Sequence, residues 1–217
     1  MRKAVCLDFD STIANYETLD GFSKYLGKEN EIKILTDSAM NGNMGFWESI
    51  IKRIDLLTPF DKEDIKSFII CNIFASDLVE DCNNFIKLCK SKGYDVYIIS
   101  GGFYEFISAY VIKGFLDIEL DHIYCNEFLY DDEEKVVGIK NKDLSFNDGK
   151  VRVIKELRKN YDTLLMMGDG TTDLATQEYV DLFIGFGGVI ERKNVREKSQ
   201  IYCWDYKWLM KFVDLLK

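Results

Sequence analysis

Apolar residues fall into two recurring patterns along the chain. Short runs of β-branched or long aliphatic residues end abruptly in small, acidic or hydroxylic ones: Ala4-Val5-Cys6-Leu7 runs into Asp8, Val96-Tyr97-Ile98-Ile99 into Ser100-Gly101-Gly102, and Leu164-Leu165-Met166-Met167 into Gly168-Asp169-Gly170. Such runs predict buried strands entering loops. Two more, Leu182-Phe183-Ile184-Gly185 and Gln200-Ile201-Tyr202-Cys203-Trp204, follow at wider spacing. Between the runs, the stretches 81–91, 103–113 and 150–159 repeat apolar residues at the period of an amphipathic helix. Strand and helix in alternation predict an open α/β sheet.

From about Asn15 to Ala75 the alternation breaks into successive helical patterns, 18–26, 29–40, 45–57 and 61–71, separated by Asn-Gly-Asn and Thr-Pro. This predicts a helical domain, residues 15–75, inserted after the first strand of an α/β core made of 1–14 and 76–217. The sole proline, Pro59, falls at one of the turns, where its missing N–H does no harm. A second interruption, Ile123 to Ile139, alternates as a hairpin around the acidic tip Asp131-Asp132-Glu133-Glu134, a solvated turn given no ligand.

Composition narrows the function. A chain of 217 residues with 47% hydrophobic positions can build a core without covalent staples. A formal charge of −9 lacks the general field that attracts phosphate backbones or anionic lipid, so neither nucleic acid nor membrane is expected as a partner. No apolar run approaches the ~20 residues of a membrane span. The opening Met1-Arg2-Lys3-Ala4-Val5 lacks an export leader, so a cytoplasmic protein is expected. The six cysteines form no C-x-x-C pair and read as free, mostly buried thiols. His122 is the only histidine, which argues against a zinc cluster and against catalysis by a serine or cysteine with an imidazole base. Any chemistry here rests on carboxylates.

Two carboxylate pairs stand out. Residues i and i+2 of an extended strand share a side, so Asp8 and Asp10 project together from the end of the first strand. Such a pair is costly to bury without a cation, and a hard, oxygen-seeking ion such as Mg²⁺ suits it. Asp169 and Asp173, in Gly168-Asp169-Gly170-Thr171-Thr172-Asp173, leave a strand and enter a helix, where i and i+4 share a face. Ser100-Gly101-Gly102 offers a hydroxyl and backbone N–H groups to an oxyanion, and Lys150 a point charge. Each element alone is also an ordinary cap, turn or surface lysine. Together they lie where open α/β sheets bind ligands, beyond the carboxyl ends of the strands. The set suits phosphoryl transfer through a carboxylate nucleophile.

These residues resemble the motifs of the haloacid-dehalogenase-like phosphatases. Asp8-Phe9-Asp10-Ser11-Thr12 is similar to the first motif, Ser100-Gly101-Gly102 to the second, Lys150 to the third and Gly168 to Asp173 to the fourth, in order across nearly the whole chain. The resemblance implies a Rossmann-like three-layer core with a parallel sheet and a small helical cap. It implies Asp8 as nucleophile and Asp10 as general acid and base. Mg²⁺ would be held by Asp8, the backbone carbonyl of Asp10 and Asp169, with Asp173 orienting them. Ser100, Gly101, Gly102, Lys150 and Thr172 would bind the phosphoryl end.

Within the family the chain resembles the branch that hydrolyses O-phospho-L-serine, the last step of serine biosynthesis. The likeness rests on Glu17 and Asp20, on Ala39-Met40, Phe46 and Arg53, and on Phe183-Ile184-Gly185-Phe186-Gly187-Gly188 followed by Arg192. It implies a small phosphorylated amino acid as substrate, with Glu17 on its ammonium, Arg53 on its carboxylate, and Met40 and Phe46 shaping the pocket, in a monomer or homodimer. Glu191 precedes Arg192, so the arginine either faces the site or pairs with its neighbour. Other small phosphomonoesters, of sugar, choline or methionine-salvage type, fit the same catalytic set. A phosphate-binding protein without turnover would be expected to lack one of the two aspartates, Asp8 and Asp10, and both are present.

Overall fold

The computed structural model describes residues 1–40, 44–141 and 143–215, without the side chains of Asp37, Met40, Asn141 and residues 213–215. Strand β1 (Lys3–Leu7) sends Val5 and Leu7 into one apolar cluster and Ala4 and Cys6 into another. Burial on both faces explains why this segment is apolar throughout rather than alternating. Around it, β2 (Tyr94–Phe103), β3 (Ile123–Tyr130), β4 (Val136–Asn141), β5 (Thr163–Gly168), β6 (Leu182–Phe186) and β7 (Ile201–Cys203) complete a seven-stranded sheet. Its order is β4-β3-β2-β1-β5-β6-β7, and only β3 and β4 pair antiparallel. The chain therefore works outward from β1 to one edge, returns to β5, and works outward to the other. The crevice at that reversal lies between β1 and β5.

Helices cover both faces. Against one lie α5 (Cys82–Ser91), α6 (Tyr104–Ile112) and α10 (Tyr206–Leu215), contributing Phe85, Phe106 and Tyr206 to the larger cluster. Against the other lie α7 (Gly149–Arg158) and α9 (Lys193–Lys198), through Ile154, Leu157 and Val195. The short α8 (Thr171–Leu174) follows β5. This is a Rossmann-like α/β core of three layers, as the alternating pattern predicts.

Between β1 and α5 come α1 (Thr18–Tyr25), α2 (Glu29–Met40), α3 (Phe46–Leu57) and α4 (Lys62–Asn72), within a residue or two of the periodicity. Asp61 starts α4 with a capping box, its carboxylate accepting from the Glu63 and Asp64 backbone N–H groups. The apolar faces of these helices join the larger cluster of the sheet. Phe22 and Phe68 both pack on Phe106 of α6, and Phe60 meets Phe128 of β3 edge to face.

One detail differs from the sequence reading, and another adds to it. β2 does not stop before Ser100 but continues through Gly101 and Gly102 to Phe103. Its pairing with β3 shifts register between Ile99 and Phe103, and the Asn126 side chain donates to the Gly101 carbonyl at 2.9 Å, which keeps the glycines extended. The acidic hairpin tip is exposed, but its base is not merely solvated. Lys62 donates its backbone N–H to the Glu134 carbonyl and pairs with that carboxylate, and Val136 donates to the Phe60 carbonyl. His122 is a packing residue, stacked 4.2 Å from the Tyr97 ring. All six cysteines are free thiols, and only Cys71 is exposed. Among the described residues no helix is long and apolar enough to cross a membrane.

Candidate active site

The parallel strands deliver the chemistry to one end of the sheet. Asp8 follows β1 directly and its backbone N–H donates to the Met167 carbonyl of β5, which ties the two strand ends together. Asp169 follows β5, and α8 then brings Asp173 back beneath it. Gly168 permits this return, because a Cβ there would collide with the Asp173 carboxyl group. Asp8, Asp169 and Asp173 each offer an oxygen within 4.8 Å of the others, and all three are buried.

Lys150, near the start of α7, reaches this cluster. Its Nζ lies 2.7 Å from Asp8 Oδ1 and 2.6 Å from Asp173 Oδ1. Desolvation works against its charge, but Asp173 and Asp8 outweigh it and hold the ammonium above the usual lysine range. Asp173 also accepts the Gly170 backbone N–H at 2.9 Å. Burial and the Asp8 charge nevertheless push its carboxyl group up to about 7, against the pull of Lys150.

Asp10 stands apart from the three converging carboxylates. Its Oδ1 accepts the Thr18 backbone N–H at 2.8 Å, so the start of α1 orients it. Its Oδ2 faces Gly102 in β2, where a Cβ would approach to 3.1 Å. Desolvation, then the Glu17 charge, raises Asp10 well above the usual carboxylate range. Glu17 is itself raised by desolvation, although it accepts from Ser11 Oγ at 2.8 Å. Ser11 has φ 54°, a left-handed conformation that turns the chain sharply between Asp10 and Glu17.

Arg192 faces the site. Its Nε donates to Asp169 Oδ2 at 2.9 Å and its guanidinium lies 3.8 Å from Glu17. Glu191 is occupied elsewhere, by Arg196 at 2.7 Å and the Trp204 indole N–H at 3.0 Å. Arg53 of α3 is buried, held by Thr36 Oγ1 at 3.3 Å and Asp20 at 3.8 Å, and its Nε has no hydrogen-bond partner among the described residues.

A cavity of ≈ 450 Å³ joins these groups and is lined by Asp8, Asp10, Glu17, Arg53, Lys150 and Asp169. Phe46, Ser100, Gly101, Gly102, Thr172, Asp173 and Arg192 line it too. Ser100 Oγ accepts the Gly102 backbone N–H at 2.9 Å. The Met40 side chain lies outside the described residues. Sequence reasoning did not single out Thr12, whose hydroxyl donates to Asp169 at 3.3 Å, or Asn126, which links Gly101 to Ser145. Thr12 adjoins the D-x-D pair and was within reach of that motif, whereas nothing near Asn126 marks it.

The charge balance decides what the cavity can hold. Asp8, Asp10, Glu17, Asp169 and Asp173 face Lys150, Arg53 and Arg192, five carboxylates against three cations. An all-oxygen cluster in which acidic side chains outnumber basic ones suits a hard divalent cation, not a thiolate- or imidazole-seeking one. The residues present therefore fit a divalent metal.

Comparison with known proteins agrees. Residues 2–179 match the haloacid dehalogenase-like hydrolases. A phosphoserine phosphatase of Drosophila melanogaster is 35% identical over 211 residues, covering 95% of this chain and 76% of that protein. One from Methanocaldococcus jannaschii is 29% identical and covers 100% of this chain and 98% of that protein. A solved phosphoserine phosphatase carrying an analogue of its phospho-aspartyl intermediate superposes with a TM-score of 0.83 at 28% identity, covering 97% of this chain and 98% of that one. With its sheet order, its converging aspartates and this match over most of its length, the chain belongs to the haloacid dehalogenase-like hydrolase family.

Proposed function

We propose that the protein hydrolyses O-phospho-L-serine to L-serine and phosphate with Mg²⁺, through an aspartyl-phosphate on Asp8, as the last step of serine biosynthesis in the cytoplasm. Residues 15–75 act as a cap over a core of 1–14 and 76–217. The observation that carries the reading is one lysine ammonium between Asp8 and Asp173, in the cavity that Arg53 and Glu17 also line. A zwitterionic phosphomonoester needs those three charges: a cation for the phosphoryl group, a cation for its carboxylate and an anion for its ammonium.

In the first half-reaction an Asp8 carboxylate oxygen attacks phosphorus, the P–O bond to serine breaks, and Asp10 gives its proton to the departing serine oxygen. The raised affinity of Asp10 for its proton supports this starting state. In the second, the Asp10 carboxylate takes a proton from water, whose oxygen attacks the same phosphorus and frees Asp8. Lys150, Ser100 and the Gly101 backbone N–H hold the phosphoryl oxygens, with Gly102, whose N–H orients the Ser100 hydroxyl, and Thr172 beside them. A flattened, negatively charged PO₃ group needs such positioning and neutralisation more than covalent help.

Asp8, the Asp10 backbone carbonyl and Asp169 would hold Mg²⁺, which, when bound, neutralises charge on the phosphoryl oxygens. Asp173, engaged by Lys150 and the Gly170 backbone N–H, orients that shell. Arg53 grips the substrate carboxylate, Glu17 takes the ammonium, and Phe46 closes the apolar side.

The test is phosphate release from L-phosphoserine, a sugar phosphate, phosphocholine and p-nitrophenyl phosphate, each with Mg²⁺ and with EDTA. Metal-dependent preference for L-phosphoserine is expected. Preference for another ester keeps the catalytic aspartates and discards the substrate, and silence on all four overturns the reading.

A further inference from the structure

The helix that carries Arg53 touches the core through an aromatic pair next to the segment that leads into the lysine helix α7. Phe46 and Trp47 are the first two residues of α3, whose N-cap, Gly45, provides no side-chain hydrogen bond. The Phe46 ring lies against Gly101, where even a Cβ would collide with it. The Trp47 ring stacks on Phe146, with centroids 5.1 Å apart and planes at 21°.

Phe146 belongs to the segment that leads into α7 and Lys150, and that segment is pinned at both ends. Ser145 Oγ donates to Asn126 Oδ1 at 2.9 Å, and the same asparagine holds the Gly101 carbonyl. Gly149 donates its backbone N–H to the Phe146 carbonyl at 3.0 Å. The Arg152 guanidinium lies over the Phe146 ring, 5.4 Å from its centroid, and pairs with Asp148. Phe146 is thus fixed relative to both Gly101 and Lys150, while Gly45, the N-cap of α3, has no side chain with which to fix that helix start.

We infer that Trp47 and Phe146 are positioning residues: their stack holds the start of α3 down, so that Phe46 covers Gly101 and Arg53 stays opposed to Lys150. Neither ring takes part in the chemistry. The pair biases α3 toward the covered arrangement, and an aromatic pair of this kind shifts such an equilibrium by about two- to tenfold. A substrate that binds only the covered arrangement then loses apparent affinity, by at most that factor, once the stack is removed and the covered arrangement no longer dominates. The kinetic half of this inference rests on the proposed phosphatase activity; the structural half does not.

The experiment is a double-mutant cycle of Trp47→Ala and Phe146→Ala, with Phe146→Tyr as the conservative variant, all checked for native circular dichroism. Each single alanine variant is expected to raise KM for L-phosphoserine by about two- to tenfold with kcat within twofold. The double variant should be no worse than either single, and Phe146→Tyr should restore the native KM. Independently of any substrate, acrylamide should quench Trp47 fluorescence more in Phe146→Ala than in the parent, read in a Trp204→Phe/Trp208→Phe background. Additive KM effects, a native KM in Phe146→Ala, or unchanged quenching overturns the inference. If L-phosphoserine is not turned over at all, the substrate reading fails while the quenching comparison still decides the stack.

Discussion

Lys150 Nζ lies 2.7 Å from Asp8 Oδ1, and the lysine is only 4% exposed. The same ammonium serves Asp173, so one cation compensates two buried carboxylates. Deleting one partner of such a buried pair costs about 3–5 kcal/mol, because the charge left behind stays out of water. Lys150→Met is therefore expected to lower the thermal midpoint and to cut phosphate release by about 10²–10³-fold, the loss typical of one preorganised electrostatic group. Lys150→Met/Asp173→Asn should recover part of the stability and none of the turnover. Melting curves that coincide for Lys150→Met and the parent would show that the pair does not hold the site together.

Arg53 gives the cleanest separation of substrate recognition from chemistry. A buried, charge-assisted contact is worth up to about 3 kcal/mol. Losing it amounts to about 10²-fold in kcat/KM. Arg53→Ala should show that loss on L-phosphoserine while p-nitrophenyl phosphate, which has no carboxylate to grip, changes little. Arg53→Lys should recover only part, since an ammonium cannot reproduce a bidentate fork. Equal losses on both esters would remove Arg53 from substrate recognition.

Strand ends were legible because parallel strands covered on both faces read as unbroken apolar runs, and the polar residues that follow the first three runs line the cavity. That logic reaches Asp8, Ser100 and Asp169, and the glycines beside them. Side chains whose part depends on partners far along the chain were not legible. Asn126 joins Gly101 to Ser145, and Phe146 meets Trp47 roughly a hundred residues away, with no local pattern to mark either. The orientation of Arg192 was undecidable beside Glu191, because it turns on Arg196 and Trp204 engaging that glutamate. The end of β2 was misplaced for the same reason: glycines normally signal a loop, and here the strand is kept extended by an asparagine on its neighbour.

Gly149 tests how tightly the lysine helix is seated. A Cβ there would run into the Asp143 carbonyl oxygen and come within 2.8 Å of Leu144 Cα, both backbone atoms that cannot rotate away. Overpacking of this kind costs about 1–3 kcal/mol. In a chain of this size each kcal/mol moves the midpoint by about 2–4 °C. Gly149→Ala is expected to melt several degrees lower and to lose turnover, since the shift moves Lys150, the next residue. A native melting point would mean that the segment yields without cost.

Glu105 supplies a pH dependence away from the aspartate cluster. Burial raises its carboxyl group above the usual range, although Tyr130 and the Phe128 backbone N–H both donate to Oε1, and Oε2 is buried with no hydrogen-bond partner among the described residues. A folded-state value above the unfolded one contributes stability that is complete below the unfolded value, about 4.3 for glutamate. That contribution is lost as pH rises through the folded value. Glu105→Gln keeps the Oε1 acceptor and removes the titration. Its midpoint relative to the parent should therefore climb from pH 4.5 to pH 8, and a difference that stays flat or falls over that range contradicts the assignment.

Metal binding should be visible as stability before any substrate is added. Three buried carboxyl groups converge on one point with Lys150 and Arg192 beside them, and in the cavity as a whole acidic side chains outnumber basic ones by five to three. A ligand that binds only the folded chain stabilises it by mass action, by about 2.7 kcal/mol at a hundred times its dissociation constant. Mg²⁺ added to EDTA-treated protein is therefore expected to raise the melting point in a saturable way. Asp169→Asn should raise the metal-free midpoint, because burial and the Asp8 charge work against a carboxylate at that position. The same change should abolish the response to Mg²⁺, because an amide oxygen is a weaker donor and carries no charge. Asp20→Asn, on the Arg53 side of the cavity, serves as the control and should keep the response. If Asp169→Asn still responds like the parent, the ion is bound elsewhere; if the parent itself does not respond, these carboxylates are held by Lys150 and Arg192 alone.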